Sequence, residues 1–394
     1  MGDAPTISRK KFKSVLRLSL LLLLPMTISG CWDQDEVNHV GFIIAAGIDS
    51  TQEDMVHLTI QVFIPNPTSG GPDEGGGEGR LFTYMCSGKS IPDALSSLQN
   101  KLPRTLSWDH TKLFIFGEKL ATLGLKDDLD FLFRDVESRE QANFLICKGT
   151  AEKLLNSLDD PNTYDTLIRI GEMPSVNAYN MNYVEESISG ESGSFVLPIA
   201  DTMSLSSSKT TRTVLTVKGT AVIKDAKLIG IINDQKNKGL QLGFQWLHQT
   251  SLSRNLTITL KQDGGKITAK LVRRKLKLLP SIRDGVWRIK IRLKLDADIV
   301  QNSSSIDLLT PADSLRALET RFNDEIEKYL LQTLDEVQTN MNADVIGFAR
   351  TFHKIYPRQW KKVSGDWDSV FQKIEVTMDV NCTLRKPGIA DIKM

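Results

Sequence analysis

The chain has 394 residues, 40% of them hydrophobic and 25% charged, with a formal net charge of +1. This is ordinary globular composition, long enough for two or three domains, and its near-neutral total gives no reason to expect nucleic acid or an acidic polymer as partner. Beyond the first 30 residues, no window approaches the roughly 18 apolar residues that mark a membrane-crossing helix.

The first element precedes the fold. Arg9, Lys10, Lys11, Lys13 and Arg17 form a basic leader, residues 18–28 form an apolar stretch of 11 residues, and Ser29-Gly30-Cys31 closes it. As a helix the stretch rises only about 16 Å against roughly 30 Å of hydrocarbon, which suits a signal peptide better than a span. Residues 1–30 are therefore expected to be a removable lipoprotein signal: small Ser29 and Gly30 flank the bond to be cut, and the Cys31 thiol takes the lipid. A myristoyl site at Met1-Gly2 would leave the basic and apolar regions unexplained. At about 0.8 kcal/mol per buried methylene, two acyl chains on Cys31 hold a protein durably on a bilayer without crossing it. Losing five basic and one acidic residue with the signal turns +1 into −3 for the mature chain. With Cys31 acylated, Cys86, Cys147 and Cys382 form an odd remainder without CxxC spacing, which reads as core thiols and not as a disulfide framework or zinc site.

Residues 31–200 read as a mixed α/β domain. Residues 40–48 are almost continuously apolar, and Val56, Leu58, Ile60 and Val62 alternate with polar neighbours, so both stretches are strands. Seven glycines or prolines lie between Pro65 and Gly79, with almost nothing apolar, the pattern of a mobile loop over 65–79. A strand over 81–85, a helix over 92–102, a strand over 113–116, a helix over 120–133, a strand over 143–147 and a helix over 151–158 follow. Serine, glycine and threonine dominate 185–211, so 201–254 is expected to be a linker and middle lobe. Its short strands fall at 213–217, 221–224 and 228–232, before a helix over 235–247 weakened by Gly239 and Gly243.

Residues 255–394 carry the clearest periodicity. Leu256, Ile258 and Leu260 alternate with polar residues, Asp263-Gly264-Gly265 supplies a turn able to take positive φ, and Ile267, Ala269 and Leu271 resume the pattern, so a hairpin is expected. Trp287, Ile289, Ile291, Leu293 and Leu295 alternate with Arg288, Lys290, Arg292, Lys294 and Asp296, a long strand with one buried and one wet face. After Thr310 and Pro311, Leu315, Leu318, Phe322, Ile326, Leu330, Leu334, Val337 and Met341 recur at steps of three or four. They predict a helix of about eight turns with Arg316, Glu319, Asn323, Glu327 and Gln338 outward. A helix over 344–355 stopped by Pro357 and a strand over 374–384 complete the multi-domain α+β reading. The C-terminal domain is then two layers, an antiparallel sheet packed on one long and one short helix.

Short motifs punctuate these elements: Cys31-Trp32-Asp33 with Glu36 and Asn38; Gly47-Ile48-Asp49; His110 with Phe116-Gly117-Glu118; Phe131-Leu132-Phe133-Arg134-Asp135 with Glu137 and Arg139; Gly219-Thr220-Ala221-Val222; and Asp344-Val345-Ile346-Gly347-Phe348 with Tyr356-Pro357, Trp360 and Trp367. In this order, over nearly the whole mature chain, they resemble the Ger(x)C family, lipoprotein C subunits of nutrient germinant receptors in endospore-forming bacteria. The resemblance implies three mixed α/β domains, no catalytic activity and no cofactor. It also implies a place on the outer face of the spore inner membrane, with polytopic A-type and B-type receptor subunits as partners beside the lipid at Cys31, and no nucleic acid. Gln34 and Asp35 stand where relatives commonly carry arginine, so a contact of that arginine to headgroups or partners is not carried over.

Other motifs carry less. Gly88-Lys89-Ser90 has the ending of a phosphate-binding loop, but Thr83 stands where the glycine turn is needed. Ser206-Ser207-Ser208-Lys209 lacks the companion segments of a serine–lysine nucleophile. His39, His57, His110, His248 and His353 are scattered with no HExxH, which leaves a hydrolytic metal without ligands. The sharper feature is basic: between residues 266 and 294, eleven lysines and arginines stand against Asp284 alone. Alternation puts Arg288, Lys290, Arg292 and Lys294 on one face. A solvated sheet face is the plain reading; the sharper one is a membrane or partner surface, with about 1 kcal/mol per cation from anionic lipid. A lipoprotein solute-binding protein of a transporter needs two matched lobes around a cleft, and an anchored cell-wall hydrolase needs clustered acids or metal ligands. Element order and scattered histidines disfavour both, and the expectation is a non-enzymatic, lipid-anchored receptor subunit.

Overall fold

The structure is a computed structural model that describes residues 39–51, 55–65, 79–134, 141–158, 163–173, 175–206, 211–233, 237–244, 256–262, 264–306 and 312–385. Gly30, Cys31 and all of the glycine-rich stretch except Pro65 and Gly79 lie outside these residues.

Apolar sequence on both faces makes β1 (Val40–Ser50) the interior strand of a nine-stranded sheet. β2 (Val56–Ile64) and β3 (Arg80–Gly88) extend it antiparallel on one side. On the other side β4 (Thr105–Ser107) meets its start, and β5 (Leu113–Gly117), β6 (Asn143–Cys147) and β7 (Ser194–Ser206) continue parallel. Parallel neighbours need crossovers, and helices supply them on both faces. α1 (Ile91–Gln99), α2 (Glu118–Leu123) and α3 (Lys126–Arg134) join Phe114, Phe116 and Phe144 in one core. α4 (Ala151–Asn156) and α5 (Thr163–Glu172) pack with Ile44, Ile115 and Leu145 on the opposite face, and α6 (Met181–Ile188) returns to the first. The single helix expected over 120–133 is two, because Gly124 takes a φ of +141° that breaks the run.

The expected boundary at residue 200 falls inside β7, and β8 (Thr211–Lys224) and β9 (Lys227–Ile232) add two antiparallel strands to the same sheet. The first part of 201–254 is therefore sheet edge and not linker. Its serines and threonines misled because a ladder is made by backbone groups, and residues 202–206 project past the core as exposed strand. Of the helix expected over 235–247, residues 237–244 form a short helical turn.

The second sheet is built as the alternation predicts: β10 (Thr257–Gln262), β11 (Gly265–Arg283) and β12 (Val286–Asn302) form an antiparallel ladder, with Gly264 at φ +77° in the first turn. β13 (Glu375–Arg385) then pairs parallel to β12, so the sheet is antiparallel except at its closing edge. The crossover is helical: α7 (Ala312–Asp335), α8 (Phe348–Ile355), α9 (Pro357–Val363) and α10 (Trp367–Phe371). Leu318, Phe322, Ile326 and Leu330 of α7 are buried in one cluster with Leu293, Leu295 and Ala297, the leucines, isoleucine and phenylalanine each contributing about 1.5–3 kcal/mol by burial. Trp287 meets Phe352 at 4.6 Å and Trp360 meets Trp367 at 4.9 Å. Pro357 does more than stop a helix: it opens α9, where a missing N–H costs nothing.

Candidate functional site

The cations expected on the wet face of β12 share that face, but they are not all free. Parallel pairing sets Glu375 beside Arg288 and Asp379 beside Arg292. Arg288 Nε lies 2.6 Å from Glu375, Arg292 Nε 3.0 Å from Asp379, and Lys290 Nζ 3.2 Å from Asp379. Hydrogen bonds from Arg292 and then Lys290 hold the Asp379 carboxyl below the usual carboxylate range. Lys294 lies between Asn381 on β13 and Lys275 on β11 and makes no ion pair among the described residues. The acids were missed because the basic run was weighed within its own strand; their signal is the outward register of Glu375 and Asp379 in the closing strand. Arg274, counted in the same run, turns inward after a register shift and donates to the carbonyls of Gln241 and Leu242.

Residues of three of the short motifs come together in two places, and in both they cap a helix. At the carboxyl ends of β1, β5 and β6, the buried Asp49 accepts from the N–H groups of Ala151 and Glu152, each at 2.9 Å. Burial pushes its carboxyl up, and those two donors work against that push. A Cβ on Gly117 would lie 1.9 Å from Asp49 Oδ1, so the neighbouring strand must carry glycine there. In the C-terminal half, the buried Asp344 accepts from the N–H groups of Gly347, Phe348 and Ala349 at 2.9, 2.9 and 2.6 Å, and from Trp367 Nε1 at 3.2 Å. Gly347, at φ +86°, makes the turn that aims those donors. Burial raises Asp344, with its donors opposing. Of the other motif residues, 32–38 and 135–140 lie outside the described residues.

The cysteines sit as core residues do: Cys147 and Cys382 are buried and their thiols pushed up to about 12, and the half-buried Cys86 to about 11. His57 and His353 pair with Glu152 and Glu191 at 3.4 and 2.9 Å, and the ring of His110 meets Phe42 edge-on at 4.5 Å. Among the described residues, no three His, Cys, Asp or Glu side chains are placed to hold a metal ion, and no helix is long and apolar enough to cross a membrane. A cavity of about 480 Å³ lies where α6 meets α8, with Tyr183, Glu186, Glu191, Arg350 and His353 in its wall. Arg350 pairs with Glu186 at 3.0 Å, and His353 Nδ1 lies 2.9 Å from Glu191. A second cavity of about 290 Å³ lies beside α1 and α3, with Asp128 in its wall; burial, then Asp127, pushes that carboxyl up to about 6.

Two family models cover most of the chain, one on each side of the β7–β8 hairpin. The spore germination protein N-terminal domain matches residues 33–202, and the spore germination B3/GerAC-like C-terminal domain matches residues 218–388. At 28% identity over 97% of both chains, the protein is similar to spore germination protein KC of Bacillus subtilis (strain 168). It is similar to spore germination protein B3 of the same organism at 23% identity, over 94% of this chain and 97% of that one. Its fold is similar to the crystal structure of the GerBC protein, with a TM-score of 0.55 at 21% identity, covering 86% of this chain and 96% of the other. The two domain matches leave only residues 203–217, in the β7–β8 hairpin, between them, and the chain belongs to the Ger(x)C family of spore germination proteins.

Proposed function

We propose that the protein is the lipid-anchored C subunit of a nutrient germinant receptor, held through Cys31 on the outer face of the spore inner membrane and assembled there with polytopic A-type and B-type subunits. The observation that carries this reading is a matter of order: basic leader, 11 apolar residues and Ser29-Gly30-Cys31 end two residues before the N-terminal domain match begins. Anchoring confines the body to two dimensions and raises the effective concentration of membrane partners, so modest contacts suffice for assembly. Of the three buried aspartates among the described residues, Asp49 and Asp344 are committed to helix caps, which favours a scaffolding role for those two carboxylates. Mass spectrometry of the protein from spore membranes should find a diacylglyceryl group on Cys31, and a polytopic subunit should co-purify with it. An unmodified Cys31, or a protein recovered without membrane partners, rejects the reading.

A further inference from the structure

Positive charge on the outer face of the C-terminal sheet is answered at one edge and unanswered in the middle. Arg288, Lys290, Arg292 and Arg385 are tied to Glu375, Asp379 and Asp298. Lys275, Lys277 and Lys294 are exposed and make no ion pair among the described residues. The β11–β12 register sets Lys275 directly opposite Lys294 and Lys277 directly opposite Arg292. Like charges directly opposite on one face work against a sheet, so the arrangement opposes folding and calls for an anion from outside. We propose that this face docks on an anionic lipid leaflet through Lys275, Lys277 and Lys294, which rests on the membrane anchorage proposed above.

Lipid fits this face better than a protein does. Protein interfaces are enriched in aromatics and arginine and depleted in lysine. Here Arg288, Arg292 and Arg385 are engaged with carboxylates, Arg273 stands directly opposite Asp296, the central cations that face only other cations are lysines, and no outward position of β10 to β13 among the described residues is aromatic. Leu279, two residues after Lys277 and opposite Lys290, is 37% exposed. Lysines around an exposed aliphatic side chain suit a headgroup region, where the charge meets phosphate and the methyls reach the acyl boundary.

The test uses the mature chain, residues 31–394, with Cys31→Ser, so that no acyl chain contributes. It should co-sediment with phosphatidylglycerol–phosphatidylcholine vesicles, not with phosphatidylcholine alone, and high salt should release it. Lys275→Glu/Lys277→Glu/Lys294→Glu should weaken binding on the order of a hundredfold, from about 1 kcal/mol per cation. Lys354→Glu/Lys361→Glu/Lys362→Glu, the same charge change on α8 and α9, should weaken it far less. Circular dichroism checks both folds; if the first triple unfolds, Lys→Gln at the same three positions should still give a clear loss. Equal binding to both vesicle types, or equal effects of the two triples, overturns the proposal. Indifference to lipid together with lost co-purification of a polytopic subunit overturns it too, assigning the face to a protein. Because the test protein carries no lipid, an unmodified native Cys31 would refute the anchor without altering this readout.

Discussion

Asp344 satisfies three backbone N–H groups at the start of α8 and the indole N–H of Trp367. Asp344→Ala leaves all four without an acceptor inside the protein, and the expected loss is about 3 kcal/mol in urea unfolding; an unshifted midpoint would contradict the capping role. Asp128 gives a pH signature instead. Its carboxyl, raised by burial and then by Asp127 to about 6, is better tolerated protonated than charged. Its contribution to stability is therefore full below the ordinary value of 3.8 and is lost as pH rises through about 6. Asp128→Asn, uncharged throughout, is expected to stabilise the protein by about 2 kcal/mol near pH 8 and by almost nothing near pH 3. Unfolding curves at the two pH values, showing the same difference at both, would remove Asp128 as the cause.

At the scale of elements, α7 lies along β13 and closes its free edge. Asn323 Oδ1 accepts from the N–H of Cys382 at 2.7 Å, and Glu319 Oε1 from that of Leu384 at 2.8 Å. Gln338 donates to the carbonyls of Phe371 and Ile374 at 2.7 and 3.0 Å. Asn323→Ala with Glu319→Ala should cost about 2 kcal/mol and open the strand to added partners, seen as a lower melting temperature with increased light scattering. Periodicity had put all three side chains outward, toward solvent or a partner. It locates apolar stripes well, as in α7 and β12, because burial of one face fixes the spacing. It is silent on which strand lies next door, since the partner of β12 is chosen some 90 residues away by how the helices cross over. For the same reason the cation row at 288–294 was legible and its neutralisation by Glu375 and Asp379 was not. A glycine at positive φ, as at Gly124, is likewise a tertiary fact that composition only hints at.

At the scale of the whole molecule, the two sheets meet where β8 reaches the turn before α8. Lys224 Nζ donates to the Asn342 carbonyl at 2.8 Å and pairs with Asp368 at 2.6 Å, and Ser192 Oγ donates to the Asp344 carbonyl at 3.1 Å. Because β8 and β9 belong to the first sheet, a fragment ending at residue 200 loses the antiparallel neighbour of β7 and should be insoluble or molten. One ending at residue 233 keeps the sheet and should be soluble with a cooperative melt; equal behaviour of the two fragments would mean that the last strands are dispensable. β12 alone, 17 residues long, reaches about 55 Å at roughly 3.3 Å per residue, more than the ~40–45 Å of a bilayer with its headgroups. Laddered to β11 along that length, it behaves as a beam and not as a tether, so tilting the body swings the Gly285 tip through tens of ångströms of height. A fluorophore at Asp284→Cys above quencher-labelled lipid would turn the body's tilt on the leaflet into a distance.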